Sequence, residues 1–314
     1  MNMGVFKMAI PLLQEESNTK IKKKTSFLQT SFFNRSYFIA CITSSLLLGL
    51  ILLAIVLFIG KTGLLVFKDV SPNHFFFSLN WKPESNHFGA GIFVIGTFSL
   101  TALTMLITVP ISLCIAIYNS EFAPKWLSNI IGLVLDILVG IPSIVYGYLG
   151  ATLLVPFIRD TFHTSIGDGL LAAALVLSVM CIPTVAKITE DSFLSVPNEL
   201  KEASFGLGST HIQMIRRVLI PSSLSGITTA VVLGMARAIG ETMAVVMVIG
   251  NTAQLAHTLT TPTAVLTSNI VMQIQDVAFD STWNYALYMM AFLLLCISLL
   301  LIVIVRKLRN KGVQ

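Results

Sequence analysis

Hydrophobic residues along this chain come in long unbroken runs, without the alternating or one-faced patterns of water-soluble elements. Residues 38–60 and 85–120 contain no Asp, Glu, Lys or Arg, and between Lys125 and Arg159 the only charge is Asp136. The runs 169–186 and 281–305 are likewise uncharged, while 218–275 holds only Arg237 and Glu241. A helix needs about 20 apolar residues to cross roughly 30 Å of hydrocarbon. The pattern therefore predicts an all-α integral membrane protein with six spans, near 37–60, 91–118, 130–158, 169–187, 224–249 and 283–305. A kink is expected at Pro110 in the second. The first run follows a basic leader, but it is long, far from the N-terminus and without a small-residue cleavage site, so it reads as a retained helix and not a signal peptide.

Composition agrees with this picture. Of 314 residues, 55% are hydrophobic and 11% charged, and the mean hydropathy is +0.84. An ordinary soluble domain carries about 25% charge, so a soluble enzyme and a disordered chain are both excluded. Cys41, Cys114, Cys181 and Cys296 all lie in apolar runs and read as small hydrophobes, without a disulfide framework or metal site.

Lysine and arginine placement sets the expected orientation. With both termini cytoplasmic, the tail 1–36 holds Lys7, Lys20, Lys22, Lys23, Lys24 and Arg35, and the end of the chain (tail 307–314) gathers Arg306, Lys307, Arg309 and Lys311. Lys125, Lys187, Lys201, Arg216 and Arg217 fall in the internal cytoplasmic loops. Lys61, Lys68, Lys82 and Arg159 are left on the opposite side, and Arg237 within the membrane. The net charge of +5 is thus a matter of topology, with no nucleic-acid footprint, and the Lys20–Lys24 cluster can also touch anionic headgroups of the lipid bilayer. In the outer loop 61–90, Phe75, Phe76, Phe77 and Trp81 read as an interfacial aromatic belt or as a docking surface for an external partner.

The cytoplasmic loop 195–221 is too long for a hairpin and has helix signals of its own. Pro197 suits a first-turn position, with Glu199 and Glu202 near the positive end of the dipole. Gly206 and Gly208 break that helix, and Thr210 with Gln213 forms a capping-box pattern that opens a second one, running to a stop at Pro221. Two short helices on the inner face suggest a protein that is pushed from the cytoplasm.

The residues here carry a family resemblance. Glu202-Ala203-Ser204, then Gly208, then Val218-Leu219-Ile220-Pro221 resemble the EAA loop of importer-type ABC permeases, E-A-A, three residues, G, nine residues, I-x-L-P. Ser204 stands for the second alanine, and Val218 and Ile220 for isoleucine and leucine. Gly140-Ile141-Pro142-Ser143-Ile144-Val145-Tyr146-Gly147 and Arg237-Ala238-Ile239-Gly240-Glu241-Thr242-Met243-Ala244-Val245 resemble phosphate ABC permeases. Phe88-Gly89-Ala90 and Asn119-Ser120-Glu121-Phe122-Ala123-Pro124 look like the PstC-type subunit. The PstA-type partner shares the loop and the R-A-x-G-E-T core; Met243-Ala244-Val245 and the aromatic outer loop favour PstC. The resemblance, over roughly 70–306, implies a type I ABC importer permease fold with core 91–306 and coupling through 195–221 to two copies of a PstB-type ATPase. It also implies a PstA-type second permease, a PstS-type extracytoplasmic binding protein and inorganic phosphate as cargo at the cytoplasmic membrane.

Span five has its own chemistry. A charge at mid-bilayer costs about 2.5 to 3.5 kcal/mol on insertion scales, so Arg237 and Glu241 together need a reason. At i and i+4 they share one helix face and can pair. The guanidinium fork suits an oxyanion, phosphate or equally sulfate or molybdate, and Glu241 would hold it when empty; the plainer reading is an ion pair between packed helices. Thr242, the neighbour of Glu241, is expected in the same substrate pathway. In span three, Pro142 with Gly140, Gly147 and Gly150 loosens the helix, so Ser143 and Tyr146 could reach an anion; glycines that serve close packing are the alternative. Asp136 reads as an interfacial residue or one paired with a nearby base.

Missing motifs also bear on function. Gly60-Lys61-Thr62 resembles the tail of a P-loop, but Ile55 stands where its first glycine belongs, so ATP is expected in partner subunits, with no cofactor here. No H-E-x-x-H or G-x-S-x-G occurs, and His74, His87, His163, His211 and His257 are scattered. The expectation is a permease subunit without enzymatic activity, against an ATP-independent carrier or channel as the rival class.

Overall fold

A computed structural model describes residues 37–311. The basic tail 1–36 and its lysine cluster lie outside the described residues. Helix α1, Tyr37–Lys68, opens the description. The part up to Phe58 belongs to a unit of its own and is an apolar helix exposed along its length, as an element solvated by hydrocarbon is.

The second unit, from Ile59 onward, contains the rest. After α2 (Pro72–Phe77) a small antiparallel pair, β1 (Trp81–Lys82) and β2 (His87–Phe88), matches Trp81 to Phe88 across a turn with Asn86 at φ 56°. Then follow α3 (Gly91–Phe122), α4 (Lys125–Gly140), α5 (Ser143–Phe162) and α6 (Leu170–Leu194). Two short helices, α7 (Asn198–Gly206) and α8 (His211–Ser222), precede α9 (Leu224–Gly240). The chain closes with α10 (Met243–Val248), α11 (Leu266–Gln273) and α12 (Thr282–Lys311). Among the described residues four helices, α1, α3, α6 and α12 up to Val303, are long and apolar enough to cross a membrane alone; α4 with α5 and α8 with α9 pass as bent pairs, which makes up to six spans.

The loosening expected at Pro142 in span three is a full break. The pair α4 and α5 turns by 93° because Ile141 and Pro142 are extended (ψ 129° and 140°): proline removes an N–H and pushes its predecessor out of the helical region. The expected span 224–249 is interrupted after Gly240, and its helical partner is α8, at 70°. Pro110, by contrast, sits inside an unbroken α3. α6 continues beyond 187 to Leu194, so Lys187 is a helix residue, hydrogen-bonded by its ammonium to Asp136 of α4. α12 is helical to Lys311, where a tail from 307 was expected.

Three apolar cores hold the second unit. Leu100, Tyr146, Leu177, Met180, Val245 and Val248 fill the middle. Ala116, Phe193, Val196, Met214, Leu219 and Ile227 pack at the end that carries α7 and α8. At the other end Phe75, Trp81, Phe88, Leu266, Leu287 and Met290 pack together. The belt reading of the aromatic loop is corrected there. Phe75 and Trp81 are buried, and the indole N–H groups of Trp81 and Trp283 both donate to Gln273 Oε1 (3.2 and 2.9 Å); Phe77 alone of the expected set is strongly exposed. A buried indole N–H needs such an acceptor.

Candidate transport site and loop surface

The two interruptions lie against one another. α10 packs on the first turns of α5, and a Cβ on Gly147 would stand 2.9 Å from both Ala244 Cα and Met247 Sδ. No side chain fits there, so the glycine allows the two broken helices to touch. The 140–147 and 237–245 motifs, about a hundred residues apart in sequence, thereby become one locus.

Arg237 occupies the last turn of α9, half-buried. Its Nη1 donates to Thr184 Oγ1 of α6 at 3.0 Å, the one hydrogen bond it makes among the described residues. A guanidinium has five N–H donors in a planar fork, so most of its capacity is uncommitted. The expected pairing with Glu241 on one helix face is corrected: α9 ends at Gly240, and Glu241 is extended (φ −71°, ψ 127°). Among the described residues no ion pair joins the two. Glu241 instead accepts from the Ala244 amide through Oε1 (3.5 Å), capping α10, and its carbonyl accepts from Thr267 Oγ1 (3.2 Å). The reason is local competition. Glycine is a poor helix residue, and a side chain that can cap the next helix rewards a break. Thr242 Oγ1 donates to the freed Gly240 carbonyl (3.3 Å).

Other members of the locus have definite tasks. Tyr146 is buried and its hydroxyl donates to the Leu138 carbonyl at 2.8 Å, which ties α5 back to the open end of α4; a helix end leaves such carbonyls without partners. Its phenol still lies within electrostatic reach of Arg237. Ser143 opens α5, half-buried, with no side-chain hydrogen bond among the described residues. Cys181 Sγ approaches the Gly234 carbonyl at 3.7 Å, between α6 and α9, within reach of the charges of both Arg237 and Glu241. Thr184 was not among the expected residues. Its signal in the sequence is small: one hydroxyl after Pro183 in an apolar run.

At the α7–α8 end the 202–221 motif folds into two helices around one turn. Pro197 is the N-cap of α7, one position before the expected first turn. Glu202 and Ala203 are exposed. Ser204 Oγ bonds Ser209 Oγ (2.7 Å), and Ser209 Oγ donates to the Ser204 carbonyl (2.8 Å), so the serine in place of alanine staples the turn. Gly208 has φ +79°, a conformation glycine adopts at little cost. The Thr210–Gln213 capping box is complete. α8 passes Pro221 and ends at Ser222, with Val218 and Ile220 packed on the core beneath. Above it Leu207 is 90% and Ile212 66% exposed. These two flank the Gly208 turn and are the most exposed large apolar side chains of the 195–221 segment.

The family model described as binding-protein-dependent transport system inner membrane component matches residues 108–311. The chain is 42% identical over 262 residues to the probable ABC transporter permease protein YqgH of Bacillus subtilis (strain 168), covering 82% of this chain and 85% of that protein. It is 32% identical over 318 residues to the phosphate transport system permease protein PstC of Xylella fastidiosa (strain Temecula1), covering 95% and 96%. Among solved structures, a bacterial alginate ABC transporter in complex with its alginate pentasaccharide-bound periplasmic protein superposes with a TM-score of 0.59 at 15% identity, over 86% of this chain and 94% of that chain. At that identity the likeness concerns the fold.

Proposed function

The chain belongs to the binding-protein-dependent transport system inner membrane component family, and on that premise we propose that it is the PstC-type permease subunit of an ATP-driven importer whose cargo is inorganic phosphate. A permease of this family is a multi-pass membrane protein and not itself an enzyme. In this reading ATP is bound by two PstB-type subunits that seat on the 195–221 loop. A PstA-type permease completes the channel, and a PstS-type protein delivers phosphate from outside the cytoplasmic membrane. Both termini and the 195–221 loop are cytoplasmic, as the crowding of Lys and Arg on that side argues.

The single observation that carries the phosphate reading is the 32% identity to a PstC phosphate permease over 95% of this chain; what suits an oxyanion cargo at the site is Arg237. It is a permanent charge at the contact of two broken helices, held by one hydrogen bond from its Nη1 to Thr184 with the rest of its fork free to meet an oxyanion. The nearby break at Glu241 and Thr242 takes the carboxylate out of the helix, and among the described residues no ion pair neutralises the guanidinium. Such an arrangement favours passage over tight capture, since a permease must release its cargo. Alternating access would open the locus to one side and then the other as the ATPase dimer closes and pushes the 195–221 loop.

The test is uptake of radiolabelled phosphate at micromolar concentration in cells lacking the chain and in complemented cells, with excess sulfate and molybdate as competitors. Uptake that requires the chain, resists both competitors and falls in Arg237→Ala and Arg237→Lys variants that assemble normally is the expected result. Competition by another oxyanion would reassign the cargo and leave the permease role standing. Native uptake in both Arg237 variants would remove Arg237 from the path.

A further inference from the structure

Glu121 lies on neither broken helix nor the 202–221 motif, yet it is a carboxylate only 7% exposed. It belongs to a π-type turn, Tyr118–Phe122, that ends α3, and such widened turns are frequent at functional positions. Its Oε1 accepts from Lys201 Nζ of α7 at 2.6 Å, and its Oε2 stands 3.7 Å from His211 Nε2 of α8. The next residue, Phe122, stacks on the His211 ring (centroids 4.8 Å, 24°), and Phe205 of α7 meets the same ring edge-on at 5.6 Å. One side of the turn thus grips both short helices. Its other side is anchored as well: Asn119 Nδ2 donates to Glu190 Oε1 of α6 at 2.5 Å.

We propose that Glu121 is a positioning residue that locks α7 and α8 to the end of α3, so that a push on the 195–221 loop moves the spans as one piece. An ion pair with side chains only 14% and 7% exposed is screened much less, and exchanges partners less freely, than an exposed pair. Removing one member leaves the other charge buried without compensation. The route onward is packed: Met105 of α3 lies against Gly234 of α9, one turn before Arg237. Load on Leu207 and Ile212 therefore enters α3 at Glu121 and reaches the transport locus through contacts between rigid helices. The inference rests on the proposed ATP-driven importer and names the joint within it.

The experiment uses the whole complex, purified with its ATPase and partner permease and reconstituted in lipid vesicles, with ATP hydrolysis and phosphate accumulation measured together. In Glu121→Gln, uptake is expected to fall on the order of tenfold while hydrolysis changes by no more than about twofold, so ATP spent per phosphate rises. The reversed pair, Glu121→Lys with Lys201→Glu, is expected to bring the ratio back toward that of the parent. Should Glu121→Gln fail to assemble, Lys201→Gln is measured for the same rise. An unchanged ratio in the assembled variants overturns the proposal, as does a parallel loss of hydrolysis and uptake that the reversed pair does not repair. Absence of ATP-driven phosphate uptake in the parent complex would overturn the functional reading itself, and this inference with it.

Discussion

Arg237 and Thr184 show how much a single hydrogen bond can organise. A free arginine side chain samples many rotamers, and holding it costs conformational entropy; the Thr184 hydroxyl, 3.0 Å away on another helix, anchors one end of the fork. Hydrogen bonds to charged groups contribute about 1.5 to 3 kcal/mol, which converts to roughly tenfold or more in a rate or affinity. Thr184→Val keeps the shape and removes the acceptor. It is expected to lower phosphate uptake about tenfold while Thr184→Ser stays near the parent, measured as initial rates across a range of phosphate concentrations. Equal rates for Val and Ser would mean that the guanidinium needs no such anchor. Glu241 makes the complementary point: it is legible in the sequence as a charge in an apolar run, but its service as a cap for α10 depends on where the helix stops.

Among elements, the interrupted helices and the 202–221 turn do the shaping. Proline explains the break before α5, and its position can be read directly from the sequence. The break after Gly240 has no proline and is decided by capping and by the partner carbonyl bond from Thr267. Gly208 is a cleaner case. It has open space around it but φ +79°, so a side chain there meets no neighbour and still strains the backbone by about 1 to 2 kcal/mol. Gly208→Asp is expected to insert normally and to abolish uptake, because it adds both backbone strain and a negative charge to the turn that orients α7 against α8. Gly208→Asn, which enters the left-handed region about as readily but adds no charge, is expected to retain much of it. Membrane-fraction immunoblots beside uptake separate the two effects, and native transport in Gly208→Asp would discard the loop's coupling role.

For the whole molecule, the useful distinction is between apolar surface that lipid covers and apolar surface that it does not. Exposed leucines and isoleucines along α1 and α12 need no protein partner in a bilayer. Leu207 and Ile212 stand on the α7–α8 end, and burying one such side chain against a partner is worth about 1.5 to 3 kcal/mol. Leu207→Asp is accordingly expected to weaken co-purification of the ATPase subunit by at least about tenfold, with the permease still in the membrane. Undiminished recovery of the ATPase would move the docking surface elsewhere. What the sequence determines by itself is the class: a one-dimensional partition of apolar runs and charges shows helices in a membrane, and the 202–221 and 237–245 motifs show the family, because solvent preference and local spacing are properties of the chain read in order. Tertiary structure alone decides that Gly147 admits Ala244, that Tyr146 spends its hydroxyl on Leu138, that Thr184 holds Arg237 and that Glu121 grips Lys201. Most of these contacts join residues dozens of positions apart, and no periodicity encodes a meeting of that kind; it is set by which helices pack and where each one breaks.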